Sequence, residues 1–334
     1  MFADLFKVTL QNSKEPLTIE WIMEDDVNCS FRIYGGFSEN LKAAVENFTR
    51  LEVIANREKY PYYLFFLYMQ KIEVSLVYKG TLLSVKKEEG NLIYNYEECG
   101  DTDRCFMKFT LDSQVFRKQA FLYEPLMEYV KQYAYQYPNL TMIIRDERIL
   151  KQLNTFHFAN GLQDKLDYLN ESKNSGNARL WEAQHSCTID GCRINVYFFI
   201  AANVYIQRSR TFIYADDDVV LSEDETIRNA IIKAMKQSMV DFSIKNQFEL
   251  EFKESHLSYI TDIAASIYGD GLVYGGSWRT YLIMPELKEN LTKHMKDYFD
   301  KLFISDTKYI DIINKIGFKK GNTLFLDAVF PPEE

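Results

Sequence analysis

Residues 72–111, IEVSLVYKGTLLSVKKEEGNLIYNYEECGDTDRCFMKFTL, decide the fold class of this chain. Four β-rich runs follow one another, and the short segments between them are polar and contain glycine. Short polar turns with glycine between such runs are the sequence signal of hairpins. The stretch therefore predicts a β-meander over residues 71–111.

The segments on either side of the meander indicate a mixed architecture. Short strands are predicted at Leu17–Met23 and Cys29–Tyr34, and Ser38 fits the N-cap of a helix that begins near Glu39. A second helix is predicted from Asp112 to about Tyr135, and Pro125 is expected to kink it or to split it.

The second half of the chain also mixes strands with helices. A long hairpin is predicted around Asp190-Gly191, because both central residues of a type I′ turn need positive φ. The other predicted elements are helices over 146–172, 223–242, 255–268, 285–303 and 306–316, and strands over 140–144, 211–221, 248–252, 272–284 and 323–330.

Together these elements predict an α+β fold with mostly antiparallel sheets and flanking helices, divided into two subdomains. The polar stretch ESKNSGN, residues 171–177, is the most linker-like part of the sequence. We predict an N-terminal α+β domain over residues 1–138, a helical connection over 139–177 and a C-terminal α+β domain over 178–334.

Composition and charge narrow the classes of function. The 334 residues include 24 Phe and 23 Tyr, and rings of this kind pack well on sheet faces. A net charge of −9 does not favour binding to duplex nucleic acid, which requires cations against phosphates. The N-terminal residues lack the pattern of a signal peptide, and no apolar run is long enough for membrane insertion. The five cysteines form an odd set and are expected to be reduced in a cytoplasmic protein.

Charge is concentrated beside apolar runs in TFIYADDDVVLSEDE, residues 211–225. Adjacent carboxylates repel one another unless water or a cation screens them, and oxygen ligands suit Mg²⁺ or Mn²⁺. The aspartates Asp216, Asp217 and Asp218 are therefore candidate metal ligands. The alternative is a solvated turn, with Ser222 as N-cap and Glu223, Asp224 and Glu225 complementing the dipole of the following helix.

Two resemblances accompany the aspartates. Tyr214-Ala215-Asp216-Asp217 resembles the YADD motif of reverse transcriptases, which implies a palm with metal-binding aspartates. Asp112 in FTLDSQVF is similar to the first palm motif, which would make it a further metal ligand. FIYADDDVVL also resembles the Asp-x-Asp motif of glycosyltransferases, which implies a metal-bound sugar nucleotide.

Two smaller groups of residues are candidate binding sites. If Asp190-Gly191 is a two-residue turn, then His185, Cys187 and Cys192 share one face of the hairpin. That face could hold zinc or a pair of packed thiols, and the sequence does not decide whether Cys187 and Cys192 bind metal. The other histidines are isolated along the sequence.

The segment VYGGSWR, residues 273–279, could form the lip of a ligand site through Tyr274, Trp278 and Arg279. The alternative is a glycine bulge with a packed tryptophan.

Two hypotheses of function follow. The first is a non-catalytic module that binds a protein or a small-molecule ligand through aromatic-rich sheet surfaces. The second is a metal-dependent nucleotidyl- or glycosyl-transferase that uses Asp216 to Asp218.

Overall fold

The computed structural model divides the chain into two compact units, Met1–Gly161 and Leu162–Glu334. The structure describes residues 9, 16–36, 39–46, 69–88, 91–100, 102–112, 122–171, 179–201, 210–215, 219–221, 224–269, 271–276 and 280–319. Each unit has its own hydrophobic core.

The N-terminal unit is built on an eight-stranded sheet with the order β5-β4-β3-β6-β2-β1-β7-β8. Every neighbouring pair is antiparallel except β1 and β7, which are parallel. The strands are β1 (Leu17–Met23), β2 (Asn28–Gly35), β3 (Met69–Tyr78), β4 (Thr81–Glu88), β5 (Asn91–Glu98), β6 (Arg104–Leu111), β7 (Leu140–Asp146) and β8 (Leu153–His157).

The four predicted strands of residues 71–111 form as β3 to β6, but only β3, β4 and β5 follow one another as a meander. The prediction is wrong for the fourth strand, because β6 pairs with β3 and not with β5. Lys79 and Gly80 turn the chain between β3 and β4 with φ of 49° and 77°, which is the pair of positive angles that a type I′ turn requires. Burial alternates along β6, so one face of this strand packs on the core. β6 pairs with β3 and β2, which makes it an inner strand of the larger sheet.

Two helices, α1 (Glu39–Glu46) and α2 (Tyr123–Gln136), contribute buried side chains to the core of this unit. Pro125 lies in the first turn of α2, where the missing N–H leaves no intrahelical hydrogen bond unmade. Residues 113–121, which make up most of the predicted helix before Pro125, lie outside the described residues, so the predicted kink or split stays a prediction. The helix predicted over 146–172 forms only as α3 (Leu162–Glu171), because residues 153–157 pair with β7 as strand β8.

The C-terminal unit is built on a five-stranded sheet with the order β12-β11-β14-β10-β9. Its strands are β9 (Arg179–Ile189), β10 (Cys192–Ala201), β11 (Thr211–Ala215), β12 (Val219–Val220) and β14 (Thr261–Tyr268). Two short pairs accompany it: β13 (Leu250–Glu251) with β17 (Phe318–Lys319), and β15 (Tyr274–Gly275) with β16 (Tyr281–Leu282).

Both faces of this sheet are buried, since two core clusters draw on alternate residues of its central strands. Helix α3 contributes Leu162 and Leu166 to the smaller cluster. The larger cluster takes its helical side chains from α4 (Thr226–Lys245), α5 (Glu254–Ile260), α6 (Pro285–Ser305) and α7 (Lys308–Ile316).

The helix predicted over 255–268 is wrong in its second half, where the chain forms the central strand β14. Seven of its eight residues are buried, because layers cover the sheet on both sides. A short apolar run that is buried on both faces cannot be told from a helix by its periodicity.

The fold class is confirmed: the chain is α+β, with mostly antiparallel sheets and flanking helices. Among the described helices, none is long and apolar enough to cross a membrane.

Candidate functional site

Both loops that carry sequence-predicted site residues leave the same edge of the C-terminal sheet. β11 and β14 are parallel, and Ala215 pairs with Ile267 near their carboxyl ends. β11 leads into the acidic turn, and β14 leads into the β15–β16 hairpin. The carboxyl edge of parallel strands is where loops of α/β sheets commonly build binding sites.

The acidic turn joins two paired strands, as the sequence predicts. Tyr214 pairs with Val220 and Ala215 with Val219, so β11 and β12 form a narrow antiparallel hairpin. The turn residues Asp216, Asp217 and Asp218 lie outside the described residues, and their role as metal ligands stays a prediction. Asp112 follows the end of β6 in the N-terminal unit, and its predicted partnership with the turn stays a prediction as well.

Asp224 is the acidic residue that organises this region. Its side chain is 5% exposed, and one carboxylate oxygen accepts the backbone N–H groups of Thr226 and Ile227 at 2.9 and 3.3 Å. The other oxygen accepts the N–H of Leu282 at 2.7 Å. One carboxylate thus caps helix α4 and ties its start to strand β16. Helix α4 begins at Thr226 and not at Glu223, and Ser222, the predicted N-cap, lies outside the described residues.

The hairpin of β15 and β16 holds the predicted ligand lip. Tyr274 pairs with Leu282 and is partly buried against the core of the unit. Gly276 has φ of 79°, a conformation that favours glycine, at the point where the chain turns back. Trp278 and Arg279 follow in the part of the loop that is not described. Their role in ligand binding therefore stays a prediction.

The hairpin of β9 and β10 has the predicted register. Asp190 and Gly191 have φ of 52° and 77°, and Ile189 pairs with Cys192. Cys192 is buried, however, and its Sγ lies against Gly269 rather than among ligand atoms. Cys192 therefore does not belong to the predicted ligand group, whereas His185 and Cys187 remain in it.

His294 of α6 takes the place of Cys192. The Nε2 atoms of His185 and His294 are 2.9 Å apart, and the ligand atoms of His185, Cys187 and His294 all lie within 4.8 Å of one another. The pKa of the His185 imidazole is lowered mainly by burial and to a smaller extent by the charge of His294. The helical periodicity of the segment could have placed His294 and Tyr298 on one face of a helix, because they are four residues apart. That pattern does not show which strand the face contacts.

Comparison with known proteins begins at the level of sequence. No family model matches the chain. The B subunit of DNA gyrase from Bacillus cereus is 26% identical over 106 residues, which are 31% of this chain and 26% of that protein. The matched region is thus about a quarter of that relative's length.

Solved structures share the fold over nearly the whole chain. The 43K ATPase domain of Thermus thermophilus gyrase B, in complex with an aminocoumarin, has a TM-score of 0.73 at 14% identity, with 94% of this chain and 88% of that chain covered. The B-subunit of the DNA gyrase from Myxococcus xanthus has a TM-score of 0.67 at 13% identity, with 94% and 92% covered. The topoisomerase IV ATP-binding domain of Francisella tularensis, in complex with a small-molecule inhibitor, has a TM-score of 0.60 at 13% identity, with 94% and 88% covered.

These structures correct both hypotheses of function drawn from the sequence. The YADD and Asp-x-Asp resemblances imply a reverse-transcriptase palm or a glycosyltransferase fold, whereas the chain has the fold of gyrase-type ATPase domains. The metal-dependent transferase hypothesis is therefore wrong. The hypothesis of a non-catalytic binding module is wrong as well, since the similar structures include the ATPase domain of Thermus thermophilus gyrase B and the ATP-binding domain of Francisella tularensis topoisomerase IV.

Proposed function

We propose that this chain binds ATP and hydrolyses it. The observation that carries the proposal is the extent of the structural likeness, which covers 94% of the chain and therefore draws on both units. A likeness confined to one sheet would support much less, because common sheet topologies serve many functions.

The β15–β16 loop is the part of the chain that we propose for contact with the phosphates. Arg279 carries a planar guanidinium that can donate two parallel hydrogen bonds to phosphate oxygens. The hairpin that bears it is fixed to the start of α4 through the Asp224–Leu282 hydrogen bond. Trp278 precedes Arg279 in the sequence, and Tyr274 lies on β15 of the same hairpin, so we include both aromatic residues in the proposed site.

Tryptophan fluorescence gives a direct test of binding. The chain has three tryptophans, and Trp21 and Trp181 are buried in the two cores at 0% and 5% exposure. We expect Mg²⁺-ATP to change the emission of the full chain saturably, and Trp278→Phe to abolish most of that change. Calorimetry on the same samples measures the affinity independently of the tryptophan.

The role of Arg279 is tested with a matched pair of variants. Arg279→Ala is expected to weaken ATP binding at least about tenfold, because one charge-assisted contact to phosphate is lost. Arg193→Ala removes an exposed arginine from β10 of the same unit and should leave the affinity unchanged. Equal effects of the two substitutions would exclude a specific role for Arg279.

Hydrolysis is measured as release of inorganic phosphate from ATP by the purified chain. A steady release that a non-hydrolysable ATP analogue inhibits supports the proposal. ATP binding without phosphate release would reject the hydrolysis half, and no binding of ATP by the folded chain would reject the proposal entirely.

A further inference from the structure

We propose that His185, Cys187 and His294 form a zinc site that joins edge strand β9 to helix α6. The site lies in the C-terminal unit and does not depend on nucleotide binding.

The three ligand atoms already lie close to the spacing that zinc requires. With Zn–N bonds of about 2.0–2.1 Å and a Zn–S bond of about 2.3 Å, a tetrahedral site separates two nitrogens by roughly 3.3 Å and nitrogen from sulfur by roughly 3.6 Å. The two Nε2 atoms are 2.9 Å apart, and no pair in the group exceeds 4.8 Å. Small side-chain rotations are therefore enough to close the group on an ion.

The backbone brings these residues together by regular periodicity. His185 and Cys187 are two residues apart on β9, so both side chains leave the same face of the strand. β9 is an edge strand, with β10 as its partner in the sheet. The ligand face of β9 is thus fixed by the hairpin register.

Helix α6 brings three side chains, spaced four residues apart, to the part of the hairpin that carries His185 and Asp190. Asn290 donates to both carboxylate oxygens of Asp190 at 3.1 and 3.0 Å. His294 lies against His185, and the ring of Tyr298 contacts His185 in a tilted arrangement, with centroids 4.2 Å apart and an angle of 34° between the ring planes. Residues four apart share one face of a helix, so the contacts before and after His294 hold its imidazole in place.

The chemistry of the donors favours zinc. Imidazole nitrogen and thiolate sulfur are ligands of Zn²⁺, whereas Mg²⁺ and Ca²⁺ prefer oxygen. Within the described part of the chain the group has three members, which leaves the fourth tetrahedral position for a water molecule. Binding converts the Cys187 thiol to a thiolate and releases its proton to the buffer.

The competing interpretation is a simple hydrogen bond between the two imidazoles. In that case one ring donates its Nε2–H to the Nε2 of the other, and Cys187 contributes only packing. The two interpretations differ in stoichiometric metal content and in the part that Cys187 plays.

The first experiment measures metal binding by the full chain. Apo protein prepared with a chelator is titrated with Zn²⁺, and we expect one equivalent to bind and to raise the thermal unfolding temperature. Co²⁺ in place of Zn²⁺ should give a thiolate-to-cobalt charge-transfer band. A folded native chain that binds no stoichiometric zinc overturns the proposal without the need for any variant.

The second experiment assigns the ligands. His294→Gln and Cys187→Ser should each weaken zinc binding at least about tenfold, and Cys187→Ser should abolish the charge-transfer band. Two controls should bind zinc as the native chain does: Cys192→Ala, which removes the buried thiol of the same hairpin, and His157→Gln, which removes an exposed imidazole of the other unit. Loss of zinc with Cys192→Ala but not with His294→Gln would overturn the assigned ligand set.

Discussion

Asp224 shows how burial changes the role of a charged side chain. Its position in an acidic run indicates a solvated residue at a helix start, yet the carboxylate is buried and accepts three backbone N–H groups. Two of these donors belong to the first turn of α4, which has no intrahelical acceptors for them. The third donor, Leu282, is distant in sequence and could not be inferred from the run itself.

His256 provides a test of pH dependence at the scale of one residue. The side chain is 3% exposed and packs edge-on against Phe318 with ring centroids 4.6 Å apart. Burial lowers the pKa of its imidazole to about 4. In the unfolded chain the pKa is about 6.5, so between these values the unfolded state takes up a proton that the folded state does not.

The stability of the native chain should therefore fall as the pH decreases from about 6.5 to 4. One such group adds a slope of at most about 1.4 kcal/mol per pH unit. Urea unfolding at pH 7, 6 and 5 measures the unfolding free energy at each pH. We expect this free energy to change less with pH in His256→Leu than in the native chain. His157→Leu, at an exposed position of β8, is the control and should keep the native slope. An unchanged slope in His256→Leu would contradict the buried neutral imidazole.

At the scale of elements, local signals predicted the hairpins well. The Lys79-Gly80 and Asp190-Gly191 turns depend on residues within a few positions of one another, and glycine and aspartate adopt positive φ more readily than most residues. The pairing of β6 with β3 instead of β5 joins residues far apart in the sequence, and the sequence did not predict it. β14 was predicted as helix, because its apolar run TDIAASIY carries no alternation when both faces are covered. What covers those faces comes from distant parts of the chain.

The end of strand β2 supplies a prediction about stability. Gly35 has φ of 100°, and a Cβ placed there would lie 2.3 Å from the carbonyl oxygen of Pro16. A backbone oxygen cannot rotate away, so Gly35→Ala should cost on the order of 2–3 kcal/mol of unfolding free energy. Urea unfolding followed by circular dichroism measures this cost.

Gly100 offers the matched control for that substitution. Nothing lies within 4 Å of a Cβ placed there, so Gly100→Ala should change the stability by no more than about 0.5 kcal/mol. Similar costs for the two substitutions would mean that the close approach of Gly35 to Pro16 is not the source of strain.

At the scale of the molecule, strand β7 determines which residues the N-terminal unit needs in order to fold. It pairs in parallel with β1 from Leu17–Leu140 to Met23–Asp146 and contributes Leu140, Met142 and Ile144 to the core. Arg145 of the same strand donates to Glu20, a carboxylate that is only 6% exposed, at 3.0 and 2.8 Å.

Two truncations test this dependence. Residues 1–161 expressed alone should unfold cooperatively on heating, whereas residues 1–138 should not, since removal of β7 exposes β1 and leaves Glu20 without Arg145. Thermal unfolding followed by circular dichroism compares the two fragments. Equal cooperativity would show that β7 is dispensable and that the unit is complete by residue 138.

The sequence by itself determined the α+β class, the hairpin turns and the residues that face the cores, because these properties follow from local conformational preference and from periodicity. The tertiary structure decided which faces meet. It placed β7 beside β1, β14 at the centre of a sheet, and His294 beside His185 and Cys187. Periodicity states that a face is buried but not what buries it, since many apolar faces are equally good partners until whole elements dock. Sequence comparison showed a likeness to a gyrase B subunit over 31% of the chain, whereas the tertiary structure extended the likeness to 94% of the chain and supported the change from a binding module or a transferase to the proposed ATPase.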